Sequence, residues 1–84
     1  MEQFETGMMA RSKSGHDAGK VYVITKVEET YVYLVDGKVR TLDKPKKKKK
    51  KHVQLIKESF DIQGATDVDI KRWIKIWNKE DNQN

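Results

Sequence analysis

A glycine-bracketed loop that leads directly into a β-rich segment is the feature that most constrains how this 84-residue chain folds. The loop covers residues 14–20 and contains Gly15 and Gly19. Glycine adopts the positive φ angles that tight loops need. Val21-Tyr22-Val23-Ile24 follow at once and are typical of a strand, because β-branched and aromatic residues favour the pleated conformation. The chain is therefore expected to be built on a β-sheet whose loop before this strand is shaped by two glycines.

Runs of β-forming residues separated by turn residues predict five short strands, over residues 7–11, 20–27, 31–35, 38–42 and 52–56. Asp36-Gly37 is a strong hairpin signal, because both residue types tolerate the positive φ angles of a type I′ turn. This turn is expected to pair the fourth strand with the third. Strands this short bury their apolar faces only by curling together. The predicted fold class is mainly β, a small barrel of about five strands with a C-terminal α-helix.

The last quarter of the chain has the period of an α-helix. Ile70, Trp73, Ile74 and Trp77 fall at i, i+3, i+4 and i+7, which places them on one stripe. Thr66 is the predicted N-cap, and two acidic residues follow it in the first turn, where the helix dipole favours negative charge. The stripe is expected to dock on the barrel, because a chain this small has a thin core.

The aromatic residues allow two interpretations. Trp73 and Trp77 are expected to pack on the barrel, and the alternative is that they stack on RNA bases. Tyr31 and Tyr33 share one face of the third strand, opposite a second face that carries valine and leucine. The pattern leaves open which of these two faces is the exposed one, and Tyr22, Tyr31 and Tyr33 are further candidates for base stacking.

Positive charge is concentrated in one segment, here called the lysine tract, which comprises Lys44 and the six lysines at residues 46–51. Removing those seven charges from the net charge of +5 leaves −2 for the rest of the chain. Because seven like charges repel and Pro45 disfavours a helix, the lysine tract is expected to be a solvated loop. A placed contact with nucleic acid is favoured over solubility alone, since the remainder of the chain is slightly acidic. Lysines are expected to follow phosphates and to carry little sequence information.

Spacing argues against several other kinds of site. A phosphate-binding nucleotide loop needs four residues between its glycines and a following helix, whereas three separate Gly15 from Gly19 and a strand follows. The chain has two histidines and no cysteine, and no acidic residues recur at a ligand spacing, so no metal or cofactor is expected. Ser12, Ser14 and His16 are too close on one loop for a catalytic triad, so no enzymatic activity is expected.

Residues 7–56 resemble the KOW-containing fourteen-e class of large-subunit ribosomal proteins, and more closely the small bacterial KOW-domain RNA-binding proteins. The resemblance depends on four segments in a fixed order, Met8-Met9-Ala10-Arg11, residues 14–20, Val35-Asp36-Gly37 and a basic tract that ends at His52-Val53. It implies an SH3-like β-barrel in which the KOW loop and the basic segments face ribosomal RNA. His16 stands where arginine or lysine is common in the family. The resemblance does not extend to the C-terminal helix.

The resemblance and the charge pattern together give a set of candidate site residues. The candidate RNA-binding residues are Arg11, Lys13, Ser14, His16, Lys20, Lys44, Lys46, Lys47, Lys48, Lys49, Lys50 and Lys51. Gly15, Asp17 and Gly19 are expected to maintain the loop, with Asp17 capping it through an Asx-type turn.

The expected organisation is a flexible leader over residues 1–6, the barrel over 7–56 with the lysine loop at 44–51, and a linker, helix and polar tail over 57–84. The expected partner is RNA, ribosomal RNA above all, with ribosomal proteins as neighbours. No apolar run reaches the roughly 18 residues of a membrane span, so no membrane contact is expected, and the expected compartment is the cytoplasm. No small-molecule substrate is expected. The alternative function is a small SH3-like protein-interaction module that binds an acidic or apolar partner.

Overall fold

The structure, a computed structural model, describes residues 3–81, without the side chains of Lys57, Glu80 and Asp81. It contains five strands and one helix, β1 Met8–Ser12, β2 Val21–Val27, β3 Tyr31–Val35, β4 Lys46–Lys49, β5 Val53–Ser59 and α1 Asp67–Asp81. A 3₁₀ turn over Lys50–His52 joins β4 to β5. The strands form one antiparallel sheet in the order β4-β3-β2-β1-β5. The sheet curls into a half-barrel, which confirms the predicted class of a small SH3-like β fold with a C-terminal helix.

Both faces of the central strands are buried, which explains why β2 carries large apolar groups on each side. Tyr22 and Ile24 point to the inside of the curl, where they pack with Val32 and other apolar residues of β3 and β5. Val23 lies on the outer face and packs under the helix. The pairing of β2 with β3 shifts register between Ile24 and Lys26, and an irregularity of this kind bends a strand and increases its twist. The sheet therefore encloses one apolar cluster and presents a second one to α1.

Helix α1 begins at the predicted cap and docks along the predicted stripe. The Asp69 backbone N–H donates to Thr66 Oγ1 at 3.3 Å, and the Thr66 N–H donates to the Asp69 carboxylate at 3.0 Å, which is a capping box. Ile70 is fully buried in the outer cluster. Trp73 is half-buried at the rim of that cluster and stacks on Phe60 with 4.7 Å between ring centroids. Docking of the helix is confirmed, and the tryptophans belong to the edge of the core.

The predicted fourth strand over residues 38–42 is wrong, and so is the type I′ turn before it. The Asp36 carboxylate accepts hydrogen bonds from the backbone N–H groups of Lys38 and Arg40, at 2.8 and 2.9 Å. Gly37 has a φ of +78°, but a type I′ turn needs positive φ at both central residues, and Asp36 does not have it. The chain therefore leaves the sheet as a loop instead of turning back along β3.

The actual fourth strand is β4, inside the segment predicted to be a solvated lysine loop. Val32 pairs with Lys48 and Tyr33 with Lys47, so consecutive lysines point to opposite faces of the sheet. Because neighbouring lysine side chains point to opposite faces, their ammonium groups are kept apart. The repulsion from which a loop was predicted is therefore reduced in the strand. The strand count of five is correct, but the prediction assigned the fourth strand to the wrong residues.

The limits of the barrel also differ from the prediction. Strand β5 runs to Ser59, beyond the predicted limit at residue 56. In the predicted leader over residues 1–6, Phe4 is half-buried and packs against the inner cluster instead of extending freely. Residues 1–2 of that leader, and residues 82–84 of the predicted frayed tail, lie outside the described residues.

Candidate nucleic-acid interface

The loop before β2 and strand β4 meet at the carboxylate of Asp17, a residue that is 7% exposed. Its Oδ1 atom accepts hydrogen bonds from Ser12 Oγ and from Lys48 Nζ, both at 2.9 Å. Its Oδ2 atom lies 3.1 Å from Lys46 Nζ and accepts a longer bond of 3.4 Å from the Tyr22 hydroxyl. These five residues, here called the Asp17 cluster, attach the inner lysines of β4 to the loop.

The protonation states of the Asp17 cluster follow from its contacts. Burial by itself raises the pKa of Asp17, but the hydrogen bonds from Lys48, Lys46 and Ser12 outweigh burial and hold the pKa well below its ordinary value. Burial, followed by the negative charge of Asp17, raises the pKa of Tyr22 to about 12. At neutral pH the cluster therefore sets one carboxylate against two ammonium groups, and a neutral tyrosine hydroxyl donates to the carboxylate.

The loop itself is closed by backbone hydrogen bonds. The Ser12 N–H donates to the Lys20 carbonyl at 2.9 Å, and the Gly19 N–H donates to the Ser12 carbonyl at 2.8 Å. Gly15 and Gly19 have φ angles of +83° and +90°, which lie in the left-handed region that favours glycine. Asp17 is also structural, but its carboxylate binds Ser12, Tyr22 and two lysines rather than forming the predicted Asx-type turn.

The outer face of β3 and β4 carries tyrosines and lysines in register. Tyr31 pairs with Lys49 and Tyr33 with Lys47, so all four side chains lie on the face opposite the Asp17 cluster. The Lys47 ammonium lies 4.4 Å from the centroid of the Tyr31 ring and 5.9 Å from that of Tyr33. Lys26 of β2 lies 5.2 Å from the Tyr33 ring. These five residues are here called the tyrosine–lysine face.

The structure divides the candidate RNA-binding residues into two groups. The side chains that are exposed are Lys13, His16, Lys20, Lys44, Lys47, Lys49 and Lys51. The side chains that are half-buried are Arg11, Ser14, Lys46, Lys48 and Lys50. In the second group, Lys48 donates to the Ser14 carbonyl at 2.9 Å, and Lys50 lies 5.5 Å from the Phe4 ring. Within β4, Lys47 and Lys49 are thus exposed, and Lys46 and Lys48 are half-buried.

Arg11 lies on the helix-covered face, apart from the exposed lysines. Its guanidinium is 5.4 Å from the centroid of the Trp77 ring. Within residues 3–81, no group hydrogen-bonds its buried Nε atom. The side chain therefore packs between the sheet and α1. A phosphate that binds the outward lysines of β4 would not contact Arg11 there.

From the sequence alone, Tyr31 and Tyr33 are candidates for base stacking only if their face of the strand is exposed, and Lys26 is not a candidate. The strand pattern already separated the two tyrosines from Val32 and Leu34, which the structure shows to be buried. The sequence pattern does not predict that β3 pairs with the lysine tract, and this pairing places Lys47 and Lys49 beside the tyrosines. That pairing was hidden because the tract was expected to be a loop.

No protein-family model matches the chain, and no curated protein matches it. Over the described residues, no group of three or more His, Cys, Asp or Glu side chains is placed to hold a metal ion. In the same part of the chain, no helix combines the length and the apolar character that crossing a bilayer requires. Function is therefore inferred from the surface of the protein itself.

Proposed function

We propose that this protein binds RNA and contacts its phosphates through the exposed lysines of β4. The observation that carries the proposal is the alternation of the tract. Lys46 and Lys48 point inward to Asp17, whereas Lys47 and Lys49 point outward, with the Lys47 ammonium beside Tyr31 and Tyr33. Ammonium groups spaced along one strand match the repeating charge of a nucleic-acid backbone.

The inner lysines support this surface instead of belonging to it. Their ammonium groups share the Asp17 carboxylate, at 3.1 Å for Lys46 and 2.9 Å for Lys48, and the side chain of Lys48 is 11% exposed. Lysine side chains that are held against a carboxylate on the inner face cannot turn outward to a phosphate without losing that contact. The outward lysines are the ones available to phosphates, and the Asp17 cluster holds the strand that presents them.

The glycine-bracketed loop adds positive charge next to this strand. His16 and Lys20 border a shallow recess together with Arg40 and the inner Lys46. The recess lies on the side of the Asp17 cluster, so a polyanion on the outward lysines reaches it only by passing around β4, the edge strand of the sheet. Ribosomal RNA is the proposed partner, in agreement with the resemblance of residues 7–56 to KOW ribosomal proteins. Work in the cytoplasm, on or near ribosomal particles and their proteins, is part of the same proposal.

A protein-interaction module is the alternative function, and one observation favours it. Val39 is 77% exposed on the loop between β3 and β4, and Leu42 is partly exposed on the same loop. Single exposed apolar residues are common on soluble proteins, however, and do not by themselves mark an interface. The ordered rows of lysine and tyrosine carry more weight, so RNA binding is the function proposed.

Replacing Lys47 and Lys49 with glutamine is expected to reduce the salt dependence of RNA binding. Each phosphate neutralised on a single strand contributes about −0.7 to the slope of log affinity against log salt, so losing two contacts reduces the slope by about 1 to 2. The matched control is Lys71→Gln with Lys75→Gln, two exposed helix lysines whose loss changes the net charge equally. Fluorescence anisotropy of a labelled RNA at several salt concentrations measures the slope. Equal slopes for the two double variants would contradict the proposal.

A further inference from the structure

The two tyrosines of β3 form a pair of rings on the outer face of the sheet. Tyr31 and Tyr33 are separated by one residue, which places them about 7 Å apart along the strand. Both are half-buried, so the sheet holds each ring in place while part of it stays accessible. Two separated rings of this kind are able to accept two different bases, because stacking on an aromatic side chain requires one face of each ring.

The tyrosine–lysine face is the part of the outer sheet surface that α1 leaves uncovered. Val23 and Val35 lie under the helix with Ile70. The tyrosines lie further along β3, where their neighbours on the same face are lysines of β2 and β4. The accessible parts of the rings thus lie beside lysines, of which Lys26 is paired with Glu28 at 3.7 Å, whereas Lys47 and Lys49 have no acidic partner among the described residues. This surface complements a nucleic-acid strand rather than an apolar protein surface.

The lysines near the rings do not prevent stacking. Lys47 lies 4.4 Å from the Tyr31 ring, but a contact between an exposed ammonium and a ring is weaker than base stacking. The flexible lysine stem lets the ammonium leave the ring when a base arrives. The released ammonium is then close to the phosphate of the same nucleotide, so the two contacts support each other.

We infer that the RNA bound here is unpaired, with successive bases stacking on Tyr31 and Tyr33 while Lys47 and Lys49 meet the phosphates. This inference rests on the proposed RNA binding and specifies the class of RNA. Bases inside a duplex are already stacked on each other and offer only their edges and the backbone. A duplex would therefore use the lysines alone, whereas an unpaired strand uses both rows of side chains.

Three labelled ligands distinguish the contributions of the two rows of side chains. They are a U-rich single strand of about twelve nucleotides, a blunt-ended duplex of about twelve base pairs, and polyphosphate, which has no bases. The test variant is Tyr31→Leu with Tyr33→Leu, and the control is Tyr31→Phe with Tyr33→Phe. Loss of two stacked bases is expected to weaken single-strand binding about 30-fold or more in the leucine variant. Polyphosphate binding is expected to stay unchanged in both variants, and the phenylalanine variant is expected to bind the single strand like the parent protein. Thermal unfolding checks that both variants are folded.

The outcomes separate the inference from the function on which it rests. Equal affinity of the parent protein for the duplex and the single strand would overturn the inference and leave RNA binding in place. Retained single-strand affinity in the leucine variant, or an equal loss of polyphosphate affinity, would overturn it as well, since the rings would then not act by stacking. The absence of salt-sensitive binding to either RNA would overturn the proposed function itself.

Discussion

Replacing Asp17 with alanine is expected to lower the free energy of unfolding by about 3 kcal/mol, because it leaves a nearly buried lysine without its counter-charge. The side chains of Asp17 and Lys48 are 9% and 11% exposed, and their charged atoms lie 2.9 Å apart. Removing one partner of such a pair costs far more than the pair contributes, since the remaining charge stays poorly solvated. The variant also removes the acceptor of the Ser12 hydroxyl and the counter-ion of Lys46. Chemical denaturation measures the change.

The matched control is Glu28→Ala, which removes the partner of Lys26 on the surface. That pair is 3.7 Å long, and its side chains are 64% and 38% exposed, so the expected change is below about 1 kcal/mol. An equal effect of the two substitutions would contradict the role given to the Asp17 cluster.

The same carboxylate is expected to make stability depend on acid pH. The pKa of Asp17 is lower in the folded protein than its ordinary value of 3.8, so the unfolded chain binds more protons between the two values. The contribution of Asp17 to stability is therefore fully present above its ordinary pKa and is lost as the pH falls towards its folded pKa. Melting temperatures from about pH 6 to about pH 2 are expected to fall less steeply for Asp17→Asn than for the parent protein.

Replacing Gly37 with alanine is expected to destabilise the protein by about 3 kcal/mol, because strain and a steric clash act together. Gly37 has a φ of +78°, which L-residues rarely adopt. A Cβ atom at this position would overlap the Asp67 carbonyl oxygen and would lie 2.9 Å from the backbone nitrogen of Lys71. Both atoms belong to the backbone of α1, so relieving the overlap requires the β3–β4 loop and the helix to move apart. Thermal and chemical unfolding measure the loss.

Gly19→Ala is the matched control for this clash. Gly19 has a similar φ of +90°, but an added Cβ would meet no heavy atom of the described residues within 4 Å. Strain alone is expected to cost about 1 kcal/mol there. If the two variants unfold alike, the close approach of the β3–β4 loop to the helix does not determine stability.

Most of the fold was predictable because its signals are local. Alternation and β-branched residues predicted β2 and β3, and an apolar stripe with a cap at Thr66 predicted α1. The fourth strand was not predictable in this way, because Lys46–Lys49 has no apolar pattern. It forms since β3 supplies the backbone partner and Asp17 supplies the counter-charge, and both lie far away in the chain.

The candidate site was predictable in part for the same reason. Composition located the positive charge in one tract, but it treated all seven lysines alike. Only the register of β4 separates Lys46 and Lys48, which face Asp17, from Lys47 and Lys49, which face outward. The same register places Tyr31 and Tyr33 beside the outward lysines. A contact between distant segments decides the role of each lysine, and no local pattern carries that information.

A titration of the isotope-labelled protein with unpaired U-rich RNA, followed through its backbone amide resonances, tests the proposed interface most directly. We expect the largest shifts at Tyr31, Tyr33, Lys47 and Lys49, and only small ones along helix α1. Shifts concentrated on the helix, or no shifts at equimolar RNA in low salt, would contradict RNA binding by the tyrosine–lysine face.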